Sequence, residues 1–176
     1  LLDQPKELTS ELKNVCVLFL DIRNFTNFSE SKNPEEVVSY LNNLFSPMIE
    51  IINEHNGFIN KFLGDGLMAI FGAPLEDVHH AKNAVTSSKA LIQKTDELVK
   101  KGLIPPTRIG IGLHEGRVLT GNIGSSKRKE YTVIGEVVNL ASRIEKLNKK
   151  FDSNILVSEK VWGLLKSKDG KSLGPT

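Results

Sequence analysis

The chain has 176 residues with a formal net charge of +2, and 39% of its residues are hydrophobic. This length suits one domain with a sizeable buried core, and the small, scattered charge gives no reason to expect nucleic acid as a partner. The single cysteine, Cys16, excludes a disulfide within the chain, and no apolar run reaches membrane-spanning length.

Both ends of the sequence resemble cut edges. Residues 1–11 are polar after two leucines and are typical of a linker, whereas residues 166–176 stop without completing an element. We therefore expect a linker remnant at residues 1–11 and one folded domain at residues 12–176, taken from a longer protein.

The first predicted elements are a strand and a helix. Val15–Leu20 is a continuous apolar run, which is typical of a strand buried on both faces, and the run ends at Asp21. Asn33 followed by Pro34 predicts a helix start, because Asn caps helices and Pro favours the first helical position. The helix is predicted to stop at Asn56-Gly57.

A hairpin and a second helix follow. Phe58–Leu63 and Leu67–Phe71 read as two short strands around the turn Gly64-Asp65-Gly66. Apolar residues at helical spacing then predict an amphipathic helix over Asp77–Lys101, ended by Gly102.

The last part of the chain predicts a second hairpin. Thr107–Leu113 and Arg117–Ile123 read as its strands, with a turn at Glu115-Gly116. The remaining predicted elements are helix Gly135–Leu147, strand Ile155–Val157 and helix Ser158–Leu165. This order predicts an α+β fold of the ferredoxin-like kind, an antiparallel sheet with helices on one face.

Two aspartates stand at the ends of predicted strands. Asp21 follows the first strand and Asp65 lies in the turn of the first hairpin, so both carboxylates can meet at one edge of the sheet. Such a pair suits Mg²⁺ or Mn²⁺, which prefer oxygen ligands. The alternative is structural, because an aspartate between glycines is an ordinary turn residue and Asp21 can cap the turn that follows it.

Asn139 and Arg143 form a second candidate pair. They are four residues apart in a predicted helix and therefore project from the same face, where an amide and a guanidinium can hold a sugar and a phosphate. The alternative is a solvated polar face on which Arg143 pairs with Glu136 or Glu145.

Four ordered motifs carry a resemblance to a known family. The segments LFLDIRNFT, NKFLGDGLMAIFG, RIGIGLHEGRVLTGNIG and YTVIGEVVNLASRIE resemble the catalytic domain of class III nucleotidyl cyclases, specifically the soluble-type adenylate cyclases of bacteria. The resemblance covers roughly residues 12–165. It implies the cyclase version of the ferredoxin-like fold and an obligate homodimer with two active sites, each built from both chains.

The resemblance also implies roles for particular residues. Asp21 and Asp65 match the two metal-binding aspartates, with the backbone carbonyl of Ile22 as a further ligand, and two Mg²⁺ or Mn²⁺ ions are expected per site. Residues matching the substrate contacts are Asn139 for the ribose, Arg143 for the transition state, Arg108 for the terminal phosphates, and Lys61 with Thr132 for the purine.

The purine-reading pair favours ATP. Adenine presents an acceptor at N1 and a donor at N6, which complement the donating ammonium of Lys61 and the accepting hydroxyl of Thr132. Guanine presents a donor at N1 and an acceptor at O6, the reverse of adenine. The resemblance implies that guanylate cyclases carry a glutamate at the position that Lys61 occupies here. The expected activity is conversion of ATP to 3′,5′-cyclic AMP and pyrophosphate; the alternatives are a guanylate cyclase and a non-catalytic nucleotide-binding or dimerisation module.

The resemblance sets further expectations for the whole protein. The family pattern continues with a final hairpin that carries a phosphate-contacting lysine, which this chain lacks, and an upstream regulatory domain is expected before residue 1. We expect the catalytic domain to lie in the cytoplasm, in a protein that is either soluble or attached to a membrane.

Overall fold

The structure is a computed structural model that describes residues 10–125 and 127–169. Most of these residues lie in a sheet or in helices packed on it. In chain order the elements are β1 (Glu11–Ile22), α1 (Phe25–Glu30), α2 (Pro34–Glu54), β2 (Gly57–Phe62), β3 (Gly66–Phe71), α3 (His80–Lys100), β4 (Ile109–Ser125), β5 (Arg128–Ile134), α4 (Glu136–Phe151), β6 (Ile155–Val157) and α5 (Glu159–Asp169).

The sheet has the order β2-β3-β1-β4-β5, and each neighbouring pair is antiparallel. Its first four strands stand in the ferredoxin-like order, so the predicted α+β class and sheet arrangement are confirmed. The predicted strand Ile155–Val157 is present as β6, and it pairs with β4 in parallel, which makes the sheet mixed. Strand β5 was not predicted.

Strand β1 packs against a hydrophobic core on each of its two faces, as its continuous apolar run predicts. Cys16, Leu18 and Leu20 join a cluster formed with α2, α3 and α5, while Val15 and Val17 join a second cluster on the opposite face. The strand also extends beyond the predicted run, from Glu11 to Ile22, so β1 begins inside the predicted linker remnant. Most of that remnant, residues 1–9, and residues 170–176 lie outside the described residues.

The helices lie on both faces of the sheet, which corrects the prediction of helices on one face. Helices α2, α3 and α5 cover one face, and α4 packs on the other through Val137 and Ala141. Glycines of β4 make room for α4. A Cβ on Gly112 would lie 2.3 Å from the backbone nitrogen of Glu145 in that helix.

The predicted starts of the two long helices have different outcomes. Helix α2 begins at Pro34 as predicted, and Asn33 forms a capping box with Glu36. Helix α3 begins at His80 and not at Asp77, whose carboxylate instead accepts a 2.8 Å hydrogen bond from the backbone N–H of His79. The short helix α1 was not predicted.

The predicted turn at Glu115-Gly116 is wrong, because β4 runs straight through it. Glu115 stands opposite Cys16 in β1, in unbroken register. A Cβ on Gly116 would lie 2.6 Å from Cγ2 of Val137, so this glycine serves close packing of α4 and not a change of direction. The second hairpin instead joins β4 to β5 between Ser125 and Arg128.

Across residues 10–125 and 127–169, none of the helices combines the length and the hydropathy needed to cross a bilayer.

Candidate active site

Asp21 and Asp65 lie side by side where β1 ends and β3 begins, as their positions in the sequence predict. Asp21 stands opposite Gly66, the first residue of β3, and the N–H of Ile22 donates a 2.9 Å hydrogen bond to the carbonyl of Asp65. The contact requires glycine at position 66, because a Cβ there would lie 2.3 Å from the carbonyl oxygen of Leu20. The glycine after Asp65 is therefore what lets the turn approach β1.

The electrostatics of this pair fit a bound cation. Burial raises the pKa of Asp21 above its usual value, the negative charge of Asp65 raises it further, and Lys149 and Arg23 partly oppose the change. A divalent ion between the two carboxylates would remove their repulsion. The described residues contain no group of three or more His, Cys, Asp or Glu side chains able to hold a metal, so an ion bound by the two carboxylates would need other oxygen ligands. Oxygen donors of this kind are those that Mg²⁺ and Mn²⁺ prefer. The role of the Ile22 carbonyl stays a prediction.

Arg108 borders the same region, at the start of β4. Its carbonyl accepts a 2.9 Å hydrogen bond from the N–H of Arg23, two residues after Asp21. A cleft of about 660 Å³ opens here, and Arg23 and Arg108 are among the residues that line it. The Arg108 guanidinium donates to Asp152 at 3.1 Å and to Asn154 at 3.3 Å. To bind a terminal phosphate it must exchange these exposed partners.

A buried ion pair next to the aspartates was not found from the sequence. Arg23 lies 3.7 Å from Glu145 of α4, and both side chains are largely buried. Burial raises the pKa of Glu145 to about 7, with the charge of Asp21 adding to the effect and Arg23 opposing it. Gly110 makes room for the pair, since a Cβ there would lie 2.4 Å from the Arg23 guanidinium. Alternating glycines in the RIGIGL segment were the available signal.

Asn139 and Arg143 project from the exposed side of α4. Both are exposed, while Ala141 and Glu145 of the same helix are buried against the sheet. Among the described residues, no hydrogen bond or ion pair links Asn139 or Arg143 to the aspartates, and the Glu145 alternative for Arg143 is taken by Arg23. A single chain thus presents two separate sets of candidate residues.

Strands β2 and β5, which carry Lys61 and Thr132, approach each other although they are opposite edges of the sheet. The amide of Asn60 donates a 3.1 Å hydrogen bond to the carbonyl of Tyr131, and the rings of Phe58 and Tyr131 are 5.7 Å apart. In a flat sheet these edges would be roughly 19 Å apart, at about 4.8 Å per strand spacing. The sheet therefore curls until its two edges meet beside the predicted purine-reading pair.

Comparison with known proteins agrees with this geometry. The family model described as adenylate and guanylate cyclase catalytic domain matches residues 8–173. An adenylate cyclase of Anabaena cylindrica is 41% identical over an alignment of 154 residues, and the match covers 85% of this chain and 30% of that protein. The chain thus spans less than a third of the length of the curated relatives that it matches.

Two solved structures share the fold. The adenylyl cyclase CyaB from P. aeruginosa has a TM-score of 0.80 and 34% identity, covering 92% of this chain and 84% of that one. The guanylyl cyclase Cya2 has a TM-score of 0.80 and 37% identity, covering 88% of this chain and 79% of that one. Sequence and fold together place the chain in the adenylate and guanylate cyclase catalytic domain family.

Proposed function

We propose that this domain converts ATP to 3′,5′-cyclic AMP and pyrophosphate at the interface of a homodimer, with two Mg²⁺ or Mn²⁺ ions per site. The observation that supports the choice of nucleotide is the approach of β2 to β5 at Asn60 and Tyr131, the residues that precede Lys61 and Thr132. The names of the Anabaena and Pseudomonas relatives support the same choice.

The chemistry of this pair favours adenine. Lys61 can only donate and meets the N1 acceptor of adenine, while the Thr132 hydroxyl can accept from N6. Guanine would set its N1 donor against the ammonium of Lys61 and leave a polar group unpaired. Such a mismatch in a built polar site lowers kcat/KM by orders of magnitude.

The separation of the two residue sets supports a shared site. Asp21, Asp65 and Arg108 lie together, and Asn139 and Arg143 are exposed without a link to them. In a two-fold dimer the first set of one chain can face the second set of its partner, which gives two equal sites.

The chain's own residues then have distinct tasks. Asp21 and Asp65 hold the ions, Asn139 orients the ribose, and Arg108 holds the terminal phosphates that leave as pyrophosphate. Bound ions would lower the pKa of the ribose 3′-hydroxyl and neutralise the triphosphate. Arg143 stabilises the negative charge that grows on the α-phosphoryl oxygens, a contribution typically worth about a hundredfold or more in rate.

Guanylate cyclase activity is the second candidate. It is favoured by the similarity to Cya2, a guanylyl cyclase that is 37% identical to this chain. Similarity of fold does not choose between the nucleotides, so the choice depends on the residues that contact the base.

A turnover assay separates these candidates. Protein supplied with Mn²⁺ and ATP is expected to release cyclic AMP and pyrophosphate, with product from GTP lower by at least about a hundredfold. Lys61→Glu is expected to reverse part of that preference. Equal rates with both nucleotides would contradict ATP selection, and ATP binding without any turnover would favour a non-catalytic module.

The surroundings of the domain are also proposals. Because the relatives are more than three times longer than the matched region, we propose that a regulatory domain accompanies this one and acts on the arrangement of the dimer. We further propose that the catalytic domain faces the cytoplasm, where ATP is available. Limited proteolysis and fractionation of the intact protein test both statements.

A further inference from the structure

Asn60 occupies an irregular position in β2. The register of β2 with β3 pairs Ile59 with Ala69 and then Lys61 with Met68, so Asn60 is an extra residue in a β-bulge. Ile59 and Ala69 belong to the face covered by α2 and α3, whereas Met68 belongs to the opposite face. The bulge therefore carries Lys61 to the face that β2 shares with Tyr131.

The side chain of Asn60 is what joins the two edges of the sheet. Its Nδ2 donates to the carbonyl of Tyr131, and no other hydrogen bond between β2 and β5 occurs in the described part of the chain. Its Oδ1 is buried without a protein partner among those residues. Burying an unpaired oxygen costs free energy, which is more typical of a functional position than of one selected for stability.

Lys61 follows Asn60 in β2, and Thr132 follows Tyr131 in β5. We propose that Asn60 is a positioning residue for nucleotide selection, because its bond to the Tyr131 carbonyl fixes the spacing between Lys61 and Thr132. The inference rests on the proposed function of that pair. It adds a residue that does not itself contact the purine.

Asn60 matters for base selection because Lys61 and Thr132 must be held at a precise spacing to distinguish two purines. Lys61 and Thr132 lie on edge strands that are joined to the rest of the sheet on one side only, by β3 and β4. The ring contact of Phe58 with Tyr131 holds the strands near each other but tolerates sliding. A hydrogen bond to a backbone carbonyl fixes one register, and mismatched polar groups discriminate only when they are held in place.

The test measures selection and not activity alone. Asn60→Asp keeps the size of the side chain and sets a carboxylate against the Tyr131 carbonyl. In the intact protein we expect kcat/KM for ATP to fall about tenfold and the ATP-to-GTP ratio to fall by a similar factor. Asn42→Asp makes the same chemical change on the exposed side of α2 and is expected to leave both values unchanged.

A second variant covers the case in which Asn60→Asp does not fold. Asn60→Ala removes the donor without adding charge, and its thermal midpoint shows whether the domain is intact. In a double-mutant cycle with Thr132→Ala, the losses of ATP preference are expected to be less than additive, because both changes disturb the same contact. Additive losses would contradict action through Thr132.

The outcomes separate the two proposals. A wild-type protein without ATP preference refutes the proposed function and this inference with it. A wild-type protein that prefers ATP, with the same ATP-to-GTP ratio in folded Asn60 variants, leaves the proposed function standing and overturns the inference. An equal loss of rate with both nucleotides in the Asn60 variants would also overturn the inference, because a merely structural role produces that result.

Discussion

At the scale of single residues, Asp21 has a proposed role in metal binding, and its charged carboxylate is expected to lower the stability of the metal-free fold. Its carboxylate is partly buried beside Asp65, and both conditions raise its pKa. In metal-free protein near neutral pH, Asp21→Asn is therefore expected to raise the thermal midpoint while abolishing cyclase activity. Thermal unfolding in the presence of a chelator measures the first effect and product release the second.

The control for this prediction is Glu50→Gln on the exposed side of α2. It likewise replaces a carboxylate by its amide, at a residue with no assigned role, and is expected to leave both the midpoint and the activity unchanged. A lower midpoint in Asp21→Asn than in wild type would show that the charge of Asp21 is stabilised by its neighbours and not strained by them.

Glu145 gives a prediction about pH. Its pKa in the folded protein is raised to about 7, above that of an unfolded glutamate, so the folded state binds the proton more tightly. Its contribution to stability is complete below about pH 4.5 and is lost as the pH rises to about 7. Metal-free wild type should lose stability between pH 5 and pH 8 more steeply than Glu145→Gln. Urea unfolding at several pH values measures the two slopes, and equal slopes would contradict the assignment.

The limit of sequence reasoning at this scale is visible in two pairs of residues. Asp21 and Asp65 were predictable as neighbours because each ends or joins a strand with a clear apolar pattern. The pair Arg23 and Glu145 was not, because either charge reads as a solvated residue until α4 is placed over Gly110. Burial of a charge depends on contacts between distant segments, which periodicity does not reveal.

At the scale of elements, the turn between β2 and β3 depends on the absence of a side chain at Gly66. A Cβ there would meet the Leu20 carbonyl at 2.3 Å, and the backbone must move to relieve the contact. Gly66→Ala is therefore expected to destabilise the domain by about 2 kcal/mol and to weaken Mn²⁺ binding, because Asp65 moves away from Asp21. Isothermal titration with Mn²⁺ and chemical unfolding measure the two effects.

Gly163→Ala in α5 is the matched control for that substitution. An added Cβ at this position meets no atom within 4 Å, and alanine is the better helix former. We expect unchanged Mn²⁺ binding and equal or slightly higher stability. Equal Mn²⁺ affinity in Gly66→Ala and Gly163→Ala would contradict the role given to the turn.

The β4 segment shows how one residue type supports two opposite interpretations. Gly116 was interpreted as part of a turn, yet with Gly110 and Gly112 it forms a row on one face of a single long strand, under α4. The start of α2 was predictable from Asn33 and Pro34 alone. Whether a glycine bends the chain or admits a neighbour depends on what packs against it, and only the assembled fold supplies that information.

At the scale of the whole molecule, an apolar strip remains uncovered on the described chain. Leu12, Leu119 and Ile134 stand in one row across β1, β4 and β5, and they are 59%, 41% and 52% exposed. Ile123, further along β4, is 54% exposed. Large apolar side chains in a continuous group are typical of a surface that another protein covers, which agrees with the proposed homodimer.

The shared-site proposal predicts recovery of activity on mixing two inactive proteins. An Asp65→Ala dimer lacks the metal-binding half in both sites, and an Arg143→Ala dimer lacks the other half in both. After subunit exchange, each heterodimer holds one doubly defective site and one site with all its wild-type residues. Since random exchange makes about half of the dimers mixed, activity should reach about a quarter of the wild-type value. The rate of cyclic AMP release after mixing measures it.

A second mixture gives the matched control for this experiment. Asp21→Ala and Asp65→Ala both damage the metal-binding half, so their heterodimers contain no intact site and should stay inactive, although the subunits exchange equally well. Exchange is followed in both mixtures by two different affinity tags. Recovery in both mixtures, or in neither once exchange is established, would mean that the aspartates and Arg143 do not act across the interface. Recovery in the first mixture alone requires that each site takes Asp65 from one chain and Arg143 from its partner.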